Sequence, residues 1–462
     1  MGMDRLVVKS AQDIERFVDA HPSDKRTLLL TLVALGGIFV DAYDFASLGV
    51  GIVQLRQAFH LTPAEVGLIT AIMALGACLG GIVGGRYIDR LGRFKILIIN
   101  VALLVVAALG AALSTSFEML LAFRLLMGIG VGLDFPVALS YVAEIVNKKS
   151  KTASVGAWQV MWYVAASCSG LVILPFDTGM FGDHLWRFAI GFGAIPALII
   201  LLARFFFADE SPRWAAHNLP LDQAAKILEE TYHIRVDLQP SGFTEKHEKK
   251  PTLSALFKGK YLPRTILTSA VCITQAIEYF SVGFNIPSMS QAIFGNSMHN
   301  AILGAVCFNV FGIAGAALGA KYSGKVGVRR MAMLGYCIVA LSLLLFGAMY
   351  AHIGPYMMAA LLAAMIFGHS IGPGQGMTLA TLSYPTGLRG LGSGWGQGMA
   401  RGGSIFGFFL FPIIMASAGK ATTLLYIAVV PVVGLVIALM INWDPLYEDT
   451  SAVSKVISTS RT

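Results

Sequence analysis

Charge is what this sequence lacks most. Only 13% of its 462 residues are Asp, Glu, Lys or Arg, about half the share found in soluble globular chains. So little charge excludes a soluble globular protein. Cysteine is scarce as well. The five cysteines, Cys78, Cys168, Cys272, Cys307 and Cys337, stand singly inside apolar runs. No CxxC or Cys/His spacing appears, so neither a disulfide framework nor a zinc site is supported, and the thiols read as small packing residues. No GxxxxGK[ST] is present, so neither ATP nor any other cofactor is expected. Residues 1–26 are polar and lack the apolar core and small-residue cleavage site of a signal peptide. The formal charge of +8 does not point to nucleic acid, because the cations fall in short stretches between apolar runs and form no solvated stripe. No nucleophile–base or metal constellation of an enzyme is found.

What remains is greasy. Hydrophobic residues make up 56% of the chain, and the mean hydropathy is +0.70. Runs long enough to cross the ~30 Å hydrocarbon core fall at about 27–52, 65–87, 95–114, 117–144, 153–175 and 186–207, and again at about 263–293, 299–320, 331–350, 355–380, 391–414 and 422–442. The pattern predicts an all-α membrane protein of twelve transmembrane helices in two six-helix bundles. The bundles would occupy 27–207 and 263–442. A polar segment at 1–26, a linker at 208–262 with a short helix in LDQAAKILEETYHI, and a tail at 443–462 complete the division. Cations cluster before the first span (Arg5, Lys9, Arg16, Lys25, Arg26) and in alternate loops (Arg90, Arg93, Lys95; Lys148, Lys149, Lys151; Lys321, Lys325, Arg329, Arg330). That asymmetry predicts both termini on the cytoplasmic side.

The halves repeat one another. RYIDRLGRFK follows the second span and KYSGKVGVRR the eighth, as in carriers whose site lies at a repeat interface. The stretch from Gly85 to Lys95, with Asp89, Arg90, Gly92 and Arg93, resembles the G-x-x-x-D-R-x-G-R loop of the major facilitator superfamily. Its second-half copy has Gly324 in place of the aspartate, which predicts a weaker latch. Arg124 to Gly132, ending at Glu144, resembles the fourth helix of the sugar porters, and Asp209-Glu210-Ser211-Pro212-Arg213-Trp214 resembles their motif after the sixth. Tyr384 to Arg389, then Gly392, Gly394, Trp395 and Arg401, resembles the aromatic-acid proton symporters, as does Asp41-Ala-Tyr-Asp44, with Ala42 where that branch has glycine.

The resemblance implies a proton-coupled importer of a small polar metabolite. A carboxylate such as an aromatic or sugar acid comes first, and a neutral sugar or polyol second. Efflux by proton antiport is disfavoured, since the fifth helix lacks the antiporters' glycine-proline motif. The expected setting is the plasma membrane, in bacteria the inner membrane, and the expected state is a monomer in the lipid bilayer.

Ionisable residues within spans are costly and usually functional. Asp44 lies ~10 Å below the outer end of the first span by helical rise, and Arg124 enters the fourth span to a similar depth. The two can meet, either as a proton-coupling pair that an alternating movement breaks or as a static ion pair. Asp41, one turn deeper, either shares the proton site or hydrogen-bonds substrate or a neighbouring helix. Asp134, Gln275, Glu278, Asn285 and His369 are candidate substrate contacts, with Trp162 and Trp395 as aromatic walls. For Asp134 and His369 a structural role stays open. Arg401 would clamp a carboxylate or neutralise Glu278 or Asp134. Gly85, Asp89, Arg90, Gly92, Arg93, Lys95, Glu144, Glu210, Arg213 and Arg389 form the expected cytoplasmic gate.

Overall fold

A computed structural model describes residues 5–174, 184–239, 252–295 and 298–446. The chain opens with a strand, β1 (Arg5–Val8), and an amphipathic helix, α1 (Ala11–Ala20). The first set of long helices follows: α2 (Lys25–Ala58), α3 (Pro63–Leu91), α4 (Arg93–Ala112), α5 (Phe117–Ile145), α6 (Lys151–Gly156), α7 (Trp158–Ile173), α8 (Leu185–Phe192) and α9 (Ala194–Phe207). The linker contributes α10 (Pro212–Asn218), α11 (Leu221–Tyr232) and β2 (Arg235–Leu238). The second set is α12 (Tyr261–Ser281), α13 (Ile286–Phe294), α14 (Met298–Val326), α15 (Val328–Met349), α16 (Pro355–Ile371), α17 (Gly376–Leu382) and α18 (Thr386–Met440).

Local chemistry sets many of these boundaries. Asp24 and Thr62 each accept a hydrogen bond from a main-chain N–H of the helix they precede, satisfying donors that a helix start leaves free. Nine helical stretches among the described residues are each long and apolar enough to cross a membrane. The other three expected spans coincide with α6–α7, α12–α13 and the first part of α18. The run at 263–293 is broken by a 3-10 turn at Gly283–Asn285, and the run at 355–380 by one at Pro373–Gln375. The last two spans are joined in α18 through Gly419, whose φ of 79° suits glycine and turns the chain between them. Part of the outer surface is plainly apolar: Ile199, Leu202, Phe205 and Phe206 of α9 are exposed, as a lipid-facing side requires.

Without a hydrophobic drive between helices in lipid, close backbone approach holds them together. Gly128 on α5 meets the main chain of Met73 on α3 so closely that a Cβ there would lie 2.1 Å from the Met73 carbonyl oxygen. A different edge of α3 faces the second half, where a Cβ on Gly85 would lie 2.5 Å from the carbonyl oxygen of Gly390 on α18. Helix α3 is thus both a core element of its own half and one side of the seam between halves. The repeat reaches into the loops. Gly92 and Gly327 have φ of 97° and 102° and immediately precede α4 and α15. The opening N–H groups of α4 are accepted by Glu210, and Asp444 accepts likewise from Arg329 at the start of α15.

The N-terminal segment is not a loose tail. β1 pairs in parallel with β2, Arg5 opposite Arg235, and α1 packs Ile14 and Val18 against Trp214, Leu228 and Tyr232 of the linker. This small lobe caps one end of the bundle, hereafter the linker end. The loop between α3 and α4 and the opening of α18 lie at the same end.

Candidate functional site

Between the halves lies a small central cavity. Phe135, Gln159 and Trp162 face it from the first half, and Gln275, His369 and Arg401 from the second. Helix breaks lie beside it, at Ala157 before Trp158 and Gln159 and at Gly372–Gln375 between His369 and Met377. There Gln375 donates to the Gln159 side chain at 3.0 Å, and Trp158 Nε1 donates to Thr378 Oγ1 at 3.2 Å. These contacts cross the seam. Sequence reading missed Gln159 and Gln375 because a lone glutamine in an apolar run carries no pattern.

Arg401 reaches across from α18. Its guanidinium carbon lies 4.7 Å from the ring centre of Phe45, 5.5 Å from Phe135, 5.6 Å from Trp162 and 5.8 Å from Phe280. The Nε atom is buried with no hydrogen-bond partner among the described residues. Aromatic faces offset part of the cost of a desolvated cation, but they supply no hydrogen-bond acceptor in the plane of the fork. Asp41 is the nearest formal counter-charge: the two interact electrostatically without a direct ion pair. Both Asp41 carboxylate oxygens are buried without partners.

Asp44 and Arg124 are neighbours, though not as an ion pair. Nη1 of Arg124 donates to the main-chain carbonyl of Asp44 at 3.3 Å. The carboxylate of Asp44 turns instead toward Gly193, between α8 and α9, where a Cβ would lie 2.5 Å from its Oδ1. Both its oxygens, and Nε and Nη2 of Arg124, are buried without partners.

Several expected substrate contacts sit elsewhere. Asp134 points away from the cavity, into the first half, where its Oδ1 accepts from Nη1 of Arg204 at 2.8 Å and from Asn100. Arg204 also donates to the carbonyls of Leu97 and Ala34, so the cluster ties α2, α4, α5 and α9 together. Its neighbour Phe135 takes the cavity face. Asn285 donates to the Ser281 carbonyl at 2.8 Å, closing the break after α12. Trp395 donates to Ser269 and packs edge-on to Phe257 near the linker end. Glu278 lies just behind the wall, with its Oε1 2.8 Å from Nδ1 of His369, which faces the cavity. Trp162 and Gln275 are where expected. Sequence reading missed Arg204 and Asn100, which stand singly in apolar runs.

At the linker end the halves are latched. Glu144 Oε1 accepts from Nη2 of Arg93 at 2.9 Å and from Nη1 of Arg389, across the seam, at 2.9 Å. Arg93 also donates to the Thr386 carbonyl. Asp89 accepts from the main-chain N–H groups of Gly390 and Leu391, each at 3.0 Å. Gly92, Arg93, Glu144, Glu210 and Arg389 therefore form one assembly with Asp89 and Gly85. Arg90 and Lys95 do not join it; both are exposed and enter no ion pair among the described residues. Arg213 turns to Asp19 of α1 at 2.6 Å. In the second-half copy of the loop, a Cβ at Gly324 would meet only the Thr152 side chain.

Two pseudo-symmetric helix sets around a central cavity walled by aromatic rings and a few polar groups, sealed at one end by charges that cross the seam, define a membrane carrier of the major facilitator fold. Residues 29–442 match the family described as sugar (and other) transporter, and the chain belongs to it. It is a multi-pass membrane transporter and not an enzyme. Similar proteins include the inner membrane metabolite transport protein YgcS of Escherichia coli K12, 28% identical over 93% of this chain and 93% of its own. The arabinose-proton symporter of Bacillus subtilis is 24% identical over 87% and 89%, and the 4-hydroxybenzoate transporter PcaK of Acinetobacter baylyi is 22% identical over 96% of each. Among solved structures, the proton:xylose symporter XylE bound to 6-bromo-6-deoxy-D-glucose superposes with a TM-score of 0.75 at 18% identity, over 90% of this chain and 96% of the other.

Proposed function

We propose that this carrier imports a small carboxylate, an aromatic acid before a sugar acid, together with protons, by alternating access across the bacterial inner membrane. The observation that carries the reading is Arg401. It is a buried guanidinium facing the central cavity, surrounded by aromatic rings and, among the described residues, in no direct ion pair. A planar carboxylate on an aromatic ring matches both features, since the fork binds two oxygens and the rings of Phe135, Trp162 and Phe280 stack on the substrate body. Asp41 and Asp44 serve as the proton site, with Arg124 beside them, and the Glu144–Arg389 and Asp89–Gly390 contacts as the cytoplasmic gate. Positive-inside loops put the termini and the lobe in the cytoplasm. The similarity to a 4-hydroxybenzoate transporter supports the substrate class.

A neutral sugar or polyol is the second reading. Gln159, Gln275 and Gln397 face the same cavity and suit hydroxyls, and an arabinose-proton symporter is among the similar proteins. Uptake of labelled 4-hydroxybenzoate, D-glucuronate and L-arabinose into proteoliposomes, wild type against Arg401→Gln, separates the two. Acid uptake lost in the variant supports the carboxylate. Arabinose uptake retained in it, with no acid uptake by the wild type, overturns the first reading.

A further inference from the structure

The cavity carries an acid that a proton route through Asp41 and Asp44 leaves unused. Glu278 of α12 and His369 of α16 meet at 2.8 Å, Oε1 to Nδ1. Both are buried, yet His369 forms part of the cavity wall. The other carboxylate oxygen, Oε2, is buried with no hydrogen-bond partner among the described residues. His369 is also held in orientation. Its ring stacks on Tyr279 at 5.0 Å and 22°, and the Tyr279 hydroxyl accepts from Nε1 of Trp162, across the seam, at 3.0 Å.

The charges decide what such a pair can do. Without a proton, the pair leaves a net negative charge and an unsatisfied oxygen in the membrane interior. With one proton it is neutral overall, whether as imidazolium–carboxylate or imidazole–carboxylic acid. The groups facing it supply no alternative counter-ion. Tyr163 of α7 and Tyr336 of α15 interact with Glu278 and are neutral phenols, Tyr279 is a third, and Ser370 is a hydroxyl. Arg401 of α18, on the same cavity, sits in its aromatic box. No described Lys or Arg pairs with Glu278.

We propose that Glu278 and His369 form a second proton-binding site, in the C-terminal half, which exchanges its proton with the central cavity. The step is protonation alone: a cavity proton adds to the pair through the imidazole of His369, which lines the cavity, and no other bond changes. Its use in transport rests on the symport reading above, while the site itself does not. With a proton site in each half, the carrier binds about two protons per cycle, and uptake of a monocarboxylate becomes electrogenic.

Proton counting on the purified full-length protein, with no solute and no vesicle, tests it. The protons taken up by weakly buffered protein between about pH 9 and pH 5 are read with a pH dye, for wild type and Glu278→Gln/His369→Gln. The difference curve is expected to show a step of about one proton per chain. His369→Gln alone, which keeps a hydrogen-bonding side chain against Glu278, is expected to move that step by more than about one pH unit. A flat difference curve between folded wild type and double variant, or a step unmoved in His369→Gln, overturns the proposal whatever solute the carrier moves.

Discussion

Arg124 gives its Nη1 hydrogen to the main-chain carbonyl of Asp44 at 3.3 Å, while the carboxylate of Asp44 points at the Gly193 backbone with both oxygens unsatisfied. The arginine thus holds the main chain of the acid's own residue without pairing with its carboxylate. A movement of α8–α9 against α2 would change what the carboxylate faces. Substitution Asp44→Asn keeps the shape and removes the titrating group. It is expected to cut proton-driven accumulation of solute by about 5–150-fold, the range of ordinary coupling energies, while counterflow exchange in the absence of a gradient persists. Equal loss of both activities would make Asp44 a binding or folding residue.

Glu144 holds Arg93 of its own half and Arg389 of the other with the same oxygen. Breaking a buried pair by neutralising one member costs about 3–5 kcal/mol, and here that cost falls on the conformation closed at the linker end. Glu144→Gln should therefore shift the population toward opening there. Spin labels at Arg86→Cys and Gly387→Cys, exposed positions on opposite sides of the seam, are expected to report a longer distance in the variant by pulsed EPR.

Asp134 is expected to behave as a structural residue. Asp134→Asn strands the buried Arg204 guanidinium, a loss of about 3–5 kcal/mol by the same reasoning, and should lower the melting temperature with little change in KM. Replacing both, as Asp134→Leu with Arg204→Met, should recover most of that stability. A large KM effect at unchanged melting temperature would put Asp134 back in the substrate path.

The lobe at the linker end is held by carboxylates that titrate in acid. A hydrogen bond from His217 holds Glu15 below its usual value of 4.5. Burial pushes Asp19 up, but Arg213, with Lys151 beside it, outweighs that and leaves it below 3.8. Groups depressed in the folded state contribute stability above their unfolded values and lose it as pH falls through the folded ones. Docking of residues 5–20 should be intact near neutrality and weaken below about pH 4. Hydrogen exchange of this segment, corrected for intrinsic rate, is expected to speed up at about pH 3; Asp19→Asn should show the same loss at neutral pH.

The helices were legible because apolar runs and cation-rich loops are strong, local signals. So was the latch, since Gly85, Asp89 and Arg93 come at fixed spacing in one loop. The breaks within spans were less so: Gly372-Pro373-Gly374 announces one strongly, whereas the single Gly283 and Pro287 of VGFNIP are signals that membrane helices also tolerate. Of the lobe only the helix in LDQAAKILEETYHI was legible; its sheet was not, because a four-residue strand pairs with a partner more than two hundred residues away. Within the site, sequence gives the depth of a residue and leaves its facing undecided. Asp134 and Phe135 are adjacent, and only packing decides which one meets the cavity. The same limit misplaced Asn285 and Trp395 and hid Arg204 in LLARFFF.

Proton movement itself is the most direct test of symport. Purified protein in proteoliposomes holding a pH dye, with no imposed gradient, is given 4-hydroxybenzoate, D-glucuronate or L-arabinose, with protein-free vesicles as the control for passive entry of the acids. Acidification of the lumen with an acid, beyond the control and absent in Asp44→Asn, is the predicted result. Entry of solute with no proton signal in the wild type would contradict it and leave Asp41 and Asp44 as binding residues of a uniporter.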